Sequence, residues 1–390
     1  MNNFDAIRPY NDQESVAAIQ RIIASDECLN LIISMKFPRL ANFLSWLIRP
    51  FFRASLSRKA NHIHSVADFQ KIVAGYLDAM LAVQTDGVGI HGLENIDFKQ
   101  PCLFMSNHRD IALDPALVNY AMYQNGADTI RIAIGDNLLT KPFASDLMRT
   151  NKSFIVKRSV SGPRELLKTL KNLSAYIWHS LRIDGESVWL AHREGRAKDG
   201  LDKTDPAVIK MLTIAKPKTS SLSNYIRELH IVPVSISYQY DPCDALKAHE
   251  LTKIEQQGSY IKAEHEDIKS IGLGIAGYKG RIDIRFSPAL TGDYETAVDV
   301  AEALDQTIVS TYQLQSTNLI AYELVYGKPA LDSALARLGV PVDQLPDTSS
   351  MSRQVFLDRM ATISDGDSLS ALNMYANPLV NRLRLLSAAK

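Results

Sequence analysis

His108 and two nearby carboxylates, Asp110 and Asp114, stand together in the stretch SNHRDIALDP (residues 106–115). Imidazole ordinarily titrates near pH 6.5, so a histidine held by a carboxylate is the usual choice for taking a proton from a reacting hydroxyl. Either Asp114 or Asp110 could supply that carboxylate. The same letters contain His-Arg-Asp, which also occurs in protein-kinase catalytic loops. A kinase needs an Asn five residues after the Asp as a metal ligand. That position is Pro115, and no Asp-Phe-Gly occurs in the chain. Gly87, Gly89 and Gly92 fit G-x-G-x-x-G, but strand-like residues follow them where a dinucleotide fold would open a helix. Both readings fail on context. A capping aspartate beside an incidental histidine is the bland alternative.

The position of His108 depends on the elements around it. It follows PCLFM, a short apolar run of the kind that makes a strand, so it falls where a strand gives way to a loop. In α/β sheets ligands bind at the carboxyl ends of strands. Seven segments read as strands: VGIHGLENI, PCLFMSN, IRIAIGD, SFIVKRS, SVWLAHREG, HIVPVSISY and IDIRFSPAL. Helical patterns lie between them, notably from Pro163 onward, with Pro163 at the first turn and Ser161 near the cap. The alternation predicts an α/β fold, a central mostly parallel sheet flanked by helices. Helical N-terminal and C-terminal extensions surround it. The expected divisions are residues 1–84 (helical), 85–291 (α/β) and 292–390 (helical).

Bulk properties narrow the partners. The 390 residues are 46% hydrophobic and 22% charged, with 43 basic and 43 acidic side chains. No global field draws in nucleic acid, so an anion must be held by a local basic cluster. Cys28, Cys102 and Cys243 form neither a disulfide framework nor a zinc site, which points to a reducing compartment. His62 and His64 lack further ligands at metal spacing, and no metal is expected. Trp178, Trp189 and the tyrosines of VSISYQY read as core or groove lining. No signal peptide is visible in MNNFDAIRPYNDQES. No run of about 18 apolar residues predicts a membrane span. Residues 31–56 instead predict an amphipathic helix, with Arg39, Asn42, Ser45, Arg49 and Arg53 on one side and Leu40, Phe43, Leu44, Leu47, Ile48 and Phe51 on the other.

Four blocks in order, SNHRDIALDP, NKSFIVKRS, HREGRAKDG and IVPVSISYQ, resemble those of the glycerolipid acyltransferase superfamily. The resemblance covers about residues 85–290. It implies that His108 is the catalytic base and Asp114 its orienting acid, although five residues separate them where the family usually has four. It implies Arg158 in the second block, and Glu194, Gly195 and Arg196 in the third, where a residue common between Gly and Arg is missing. Pro233 matches the fourth block, and Asn107 supports the first. Arg158 and Arg196, with Lys157 and Arg193 adjacent, would bind the acceptor phosphate, a task suited to Arg forks. The implied reaction moves an acyl group from an acyl-CoA or acyl carrier protein thioester to glycerol-3-phosphate or its 1-acyl form, without a cofactor. A lipid product implies a peripheral protein on the cytoplasmic membrane face. A same-fold enzyme with a non-phosphorylated acceptor, and a catalytically silent lipid-binding protein, are the alternatives.

Overall fold

The computed structural model describes residues 4–36, 38–263, 266–341 and 344–388; the side chains of 34–47 and 388 lie outside the description. The N-terminal region is α1 (Asp12–Ala24), α2 (Asp26–Lys36), α3 (Pro38–Ala60) and α4 (Val66–Gln84). All seven expected strands form. In chain order come β1 (Gly87–His91), β2 (Leu103–Ser106), α5 (Leu113–Gln124), β3 (Arg131–Gly135), α6 (Pro142–Thr150) and β4 (Ser153–Val156). Then follow α7 (Pro163–Arg182), β5 (Val188–Ala191), α8 (Pro206–Thr213), α9 (Leu222–Leu229) and β6 (Ile231–Tyr238). The sheet ends with α10 (Asp244–Gln257), α11 (Glu266–Ala276) and β7 (Arg281–Phe286). Five helices follow: α12 (Ala297–Thr311), α13 (Ser316–Tyr326), α14 (Lys328–Leu338), α15 (Ser350–Met360) and α16 (Ser368–Ala388).

The strand order is β1-β7-β6-β2-β5-β3-β4. The run from β6 to β4 is parallel, while β7 is antiparallel to β6 and carries β1 parallel to itself at the edge. The fold is therefore α/β with a mostly parallel sheet. Both faces are covered. Leu103 and Met105 of β2 pack with Leu173 and Ile177 of α7, while Phe104 joins Leu117 and Val118 of α5. Burial on both sides explains why the central strands read as near-continuous apolar runs.

Two local expectations change. Pro163 does open α7, but the cap position is Gly162 at φ +90°, and no side chain caps it, Ser161 included. The 31–56 segment is not one helix: α2 ends at Lys36 and Pro38 starts α3, consistent with proline at a first helical turn. The predicted polar and apolar faces at Arg39, Leu40, Asn42, Phe43, Leu44, Ser45 and Leu47 lie outside the described side chains. Arg49 and Arg53 do not project as a free basic face. They pair with Asp26 at 3.1 and 2.5 Å, and Arg53 also donates to the Ile23 carbonyl at 3.2 Å. Among the described residues no helix is long and apolar enough to cross a membrane.

One buried cation sets a pH dependence. Lys279 is fully buried, with Nζ donating to the carbonyls of Ile275 (3.2 Å) and Gly277 (2.5 Å). Burial pushes its pKa down to about 8, whereas an unfolded lysine holds its proton to about pH 10.4. Between these values the unfolded chain binds more protons, so this residue makes stability rise with pH. Urea titrations from pH 7.5 to 9.5 should show a rise in the midpoint that is absent in Lys279→Met. Equal slopes in the two proteins would contradict the assignment.

Candidate active site

The site grows from the carboxyl end of β2, which lies between β5 and β6 near the middle of the sheet. Asn107, the first residue beyond β2, fastens the turn. Its side-chain oxygen accepts from the Ile236 amide at 2.8 Å, and its Nδ2 donates to the Ile236 carbonyl at 3.0 Å. His108 comes next, and its Nδ1 lies 2.8 Å from Oδ2 of Asp114 at the start of α5. The same oxygen accepts the amides of Arg109 (2.6 Å) and Asp110 (2.9 Å), and Oδ1 accepts the Tyr238 hydroxyl at 2.7 Å. Asp114 is completely buried and surrounded by donors. A carboxylate only accepts, so Nδ1 carries a proton, and in the neutral imidazole the lone pair is then on Nε2.

This geometry settles which aspartate holds the histidine. Asp110 turns away and accepts the amides of Ala112 (2.9 Å) and Leu113 (2.8 Å), closing the turn that leads into α5. Burial, and then the Asp114 charge, pushes its carboxyl above the usual range. The fifth intervening residue is taken up within this turn, and the His108–Asp114 pair stays closed.

His108 and the edge of Trp189, with ring centroids 5.7 Å apart, form part of the wall of a cavity of about 650 Å³. Lys157 and Arg158 enter this wall after β4, and Arg193, Glu194 and Gly195 after β5. Arg158 passes over Gly135, where a Cβ would lie 2.9 Å from its Nε. That nitrogen reaches Glu194 at 3.5 Å. Gly195 adopts φ +72°, a conformation that favours glycine. Much of the remaining wall is apolar, including Leu77 and Met80 of α4 and Leu166 and Leu170 of α7. Among the described residues no group of three or more His, Cys, Asp and Glu could hold a metal ion.

Four expected site residues do not line this cavity: Asn107 and Asp114 are buried beside His108, and Arg196 and Pro233 lie elsewhere. Arg196 does not line it, and its guanidinium reaches the Ser270 hydroxyl of α11 at 3.4 Å. Pro233 is buried in β6 opposite Met105 and is also absent from the wall.

Two other residues were missed as site components. Arg109, between the candidate base and Asp110, is buried and donates to Asp202 (2.7 Å) and to the carbonyls of Gly200 (3.1 Å) and Ala197 (3.3 Å). It thereby ties the His108 loop to the loop after β5. Asn377 and Asn381 of α16 hold the second loop from outside, donating to the carbonyls of Asp199 (2.7 Å) and Asp202 (2.8 Å). Tyr238 is the second omission. Burial, and then the Asp114 charge, raises its pKa well above the usual tyrosine value, which keeps the hydroxyl a donor. A tyrosine in an alternating strand signals a polar tip needing a partner, but the partner is 124 residues away. Tyr238→Phe should lower kcat by about tenfold, the scale of one lost hydrogen bond to a charged group, with the far-ultraviolet circular dichroism unchanged. An unaltered kcat would mean that Asp114 is held without it.

Residues 87–237 match the Acyltransferase family model. The matched segment carries the His108–Asp114 pair at a strand end and is similar to an acyltransferase domain. A glycerol-3-phosphate acyltransferase of Pseudoalteromonas translucida (strain TAC 125) is 26% identical over 239 residues, or 57% of this chain and 28% of that protein. The chain thus spans less than a third of that relative's length. The crystal structure of the 1-acyl-sn-glycerophosphate (LPA) acyltransferase PlsC from Thermotoga maritima aligns over 73% of this chain and 95% of its own. The identity there is 15% and the TM-score 0.35.

Proposed function

We propose that the protein transfers an acyl group from an acyl-CoA or acyl carrier protein thioester to a hydroxyl of glycerol-3-phosphate or 1-acylglycerol-3-phosphate. The carrying observation is the Asp114-held His108 in the wall of a largely apolar cavity that also bears Lys157, Arg158 and Arg193. Nε2 of His108 takes the acceptor's proton as its oxygen attacks the thioester carbonyl. The C–S bond then breaks, and the thiolate leaves with the proton that His108 returns. Cations in the wall answer the acceptor phosphate, and the apolar wall suits the acyl chain. No covalent enzyme intermediate and no cofactor are required.

The test is thiol release by the purified protein with no acceptor, with glycerol-3-phosphate and with 1-acylglycerol-3-phosphate, using both thioester carriers. Release that depends on one phosphorylated acceptor supports the reading and names the step. Release that ignores both acceptors, or none with either carrier, refutes it. With the preferred acceptor, Arg158→Ala should raise KM about tenfold or more, and an unchanged KM would favour a non-phosphorylated acceptor.

Such a reaction meets lipid, and we place the protein peripherally on the cytoplasmic membrane face. Phe51 and Leu167 are 74% and 59% exposed, and Leu167 neighbours the cavity-lining Leu166. Phe51→Asp with Leu167→Asp should cut the fraction floating with anionic vesicles at least severalfold, since each removes buried apolar area from the interface. Equal flotation would exclude these side chains as anchors.

A further inference from the structure

A second cavity, of about 400 Å³, lies against the β1–β7 edge of the sheet. Adjacent strand residues face opposite sides. On β6, Tyr238 reaches Asp114, while Ser237 accepts a hydrogen bond at 3.0 Å from Gln315, in the wall of this second cavity. In contrast to the first cavity, most of the lining residues are of polar types, with His91, Gln239, Arg281, Asp283, Arg285 and Gln315 among them.

The charges here are unevenly matched. Asp283 is buried and engaged by His91 (3.1 Å), Arg281 (3.1 Å) and Gln315 (3.2 Å). Asp347 at the rim is taken by the hydroxyls of Ser349 (3.0 Å) and Ser352 (2.6 Å). Arg281 thus has its counter-ion, but Arg285 has none among the described residues. Its Nη2 donates to the neutral amide of Gln313 at 2.5 Å, and its Nε is buried without an acceptor. Among the described residues, nearby Arg382 donates to the carbonyls of Val309 (2.6 Å) and Tyr312 (2.8 Å) and to no carboxylate. Burial and the neighbouring Arg285 charge push Arg382 down to about 10. Arg285 in the wall, without a carboxylate partner among the described residues and with a second guanidinium close by, favours an anion in the cavity.

We propose that this cavity binds the phosphate-type oxyanion of a small polar molecule, with Arg285 as its anchor and the neighbouring amides as partners for hydroxyls. The site is separate from the acceptor site proposed above and does not depend on that reading. The test is isothermal titration of the full chain at low ionic strength with inorganic phosphate and, separately, with glycerol-3-phosphate. The titration is repeated in Arg285→Gln, in Gln313→Glu and in the double variant Arg158→Ala/Arg193→Ala. Gln313→Glu supplies Arg285 with an internal counter-ion, so it blocks the site without leaving a buried orphan. The expected result is saturable binding that survives the double variant and weakens about tenfold or more in both Arg285→Gln and Gln313→Glu. Tighter binding of either probe supports the proposal and identifies whether hydroxyls contribute. Binding lost only in the double variant, binding unchanged in both second-cavity variants, or no saturable binding of either probe overturns it.

Discussion

Alanine at position 108 should lower kcat by about 10²–10⁴-fold, the range set by a positioned general base, while the acceptor KM stays within about threefold. The asymmetry follows from where the residue sits. The imidazole touches the cavity wall through its ring, but the cations that would grip the phosphate are contributed by other loops, after β4 and β5. Loss of the base therefore removes an interaction of the transition state and leaves ground-state binding alone. Folding should also survive, because His108 contributes only one of the four hydrogen bonds to Asp114. Asp114→Ala is a different experiment: it leaves a tyrosine hydroxyl and two backbone amides without their acceptor, so stability falls together with rate. Steady-state kinetics and thermal melts on both variants separate chemistry from folding. Full activity in His108→Ala would remove this residue from the reaction.

Arg109→Met should destabilise the fold by about 3–5 kcal/mol, the cost of breaking one side of a buried ion pair. The partners are nearly inaccessible, with side-chain exposures of 8% for Arg109 and 5% for Asp202. Without the guanidinium, the Asp202 carboxylate keeps only the Asn107 amide at 3.2 Å among the described residues, the Gly200 carbonyl loses its side-chain donor, and that of Ala197 keeps only the Gly200 amide at 3.3 Å. Urea denaturation would show the midpoint falling by that free energy at an unchanged slope. The double variant Arg109→Met/Asp202→Leu should recover much of the loss, because no lone charge then remains inside. A loss below about 1 kcal/mol in the single variant would mean that water reaches the pair.

The sequence carried the seven strands because each is a short apolar run bounded by turn residues, and parallel strands buried on both sides take that form. His108 and Asp114 were legible for a related reason: both follow one such run, within one turn and the start of a helix. Choosing Asp114 over Asp110 was not possible from spacing alone. The choice rests on which carboxylate collects the amides of Arg109 and Asp110, and that depends on the backbone path. The antiparallel entry of β7 was hidden too, since an apolar strand has no direction in its letters. Arg109 and Tyr238 escaped for want of proximity, as their partners lie 93 and 124 residues further along or back. Arg196 shows the converse of this distance effect. It adjoins Glu194 and Gly195 in the sequence, but it reaches Ser270 of α11.

The two asparagines of α16 also impose an order on biosynthesis. A chain leaves the ribosome from its N-terminus, and its parts fold as they emerge. The sheet and the His108 turn can assemble early, but the carbonyls of Asp199 and Asp202 have no clasp until Asn377 and Asn381 arrive. A nascent chain stalled before α16 would hold every candidate catalytic group while its third-block loop was held from the Arg109 side alone. Catalytic competence in such a chain would come with α16 rather than with completion of the sheet.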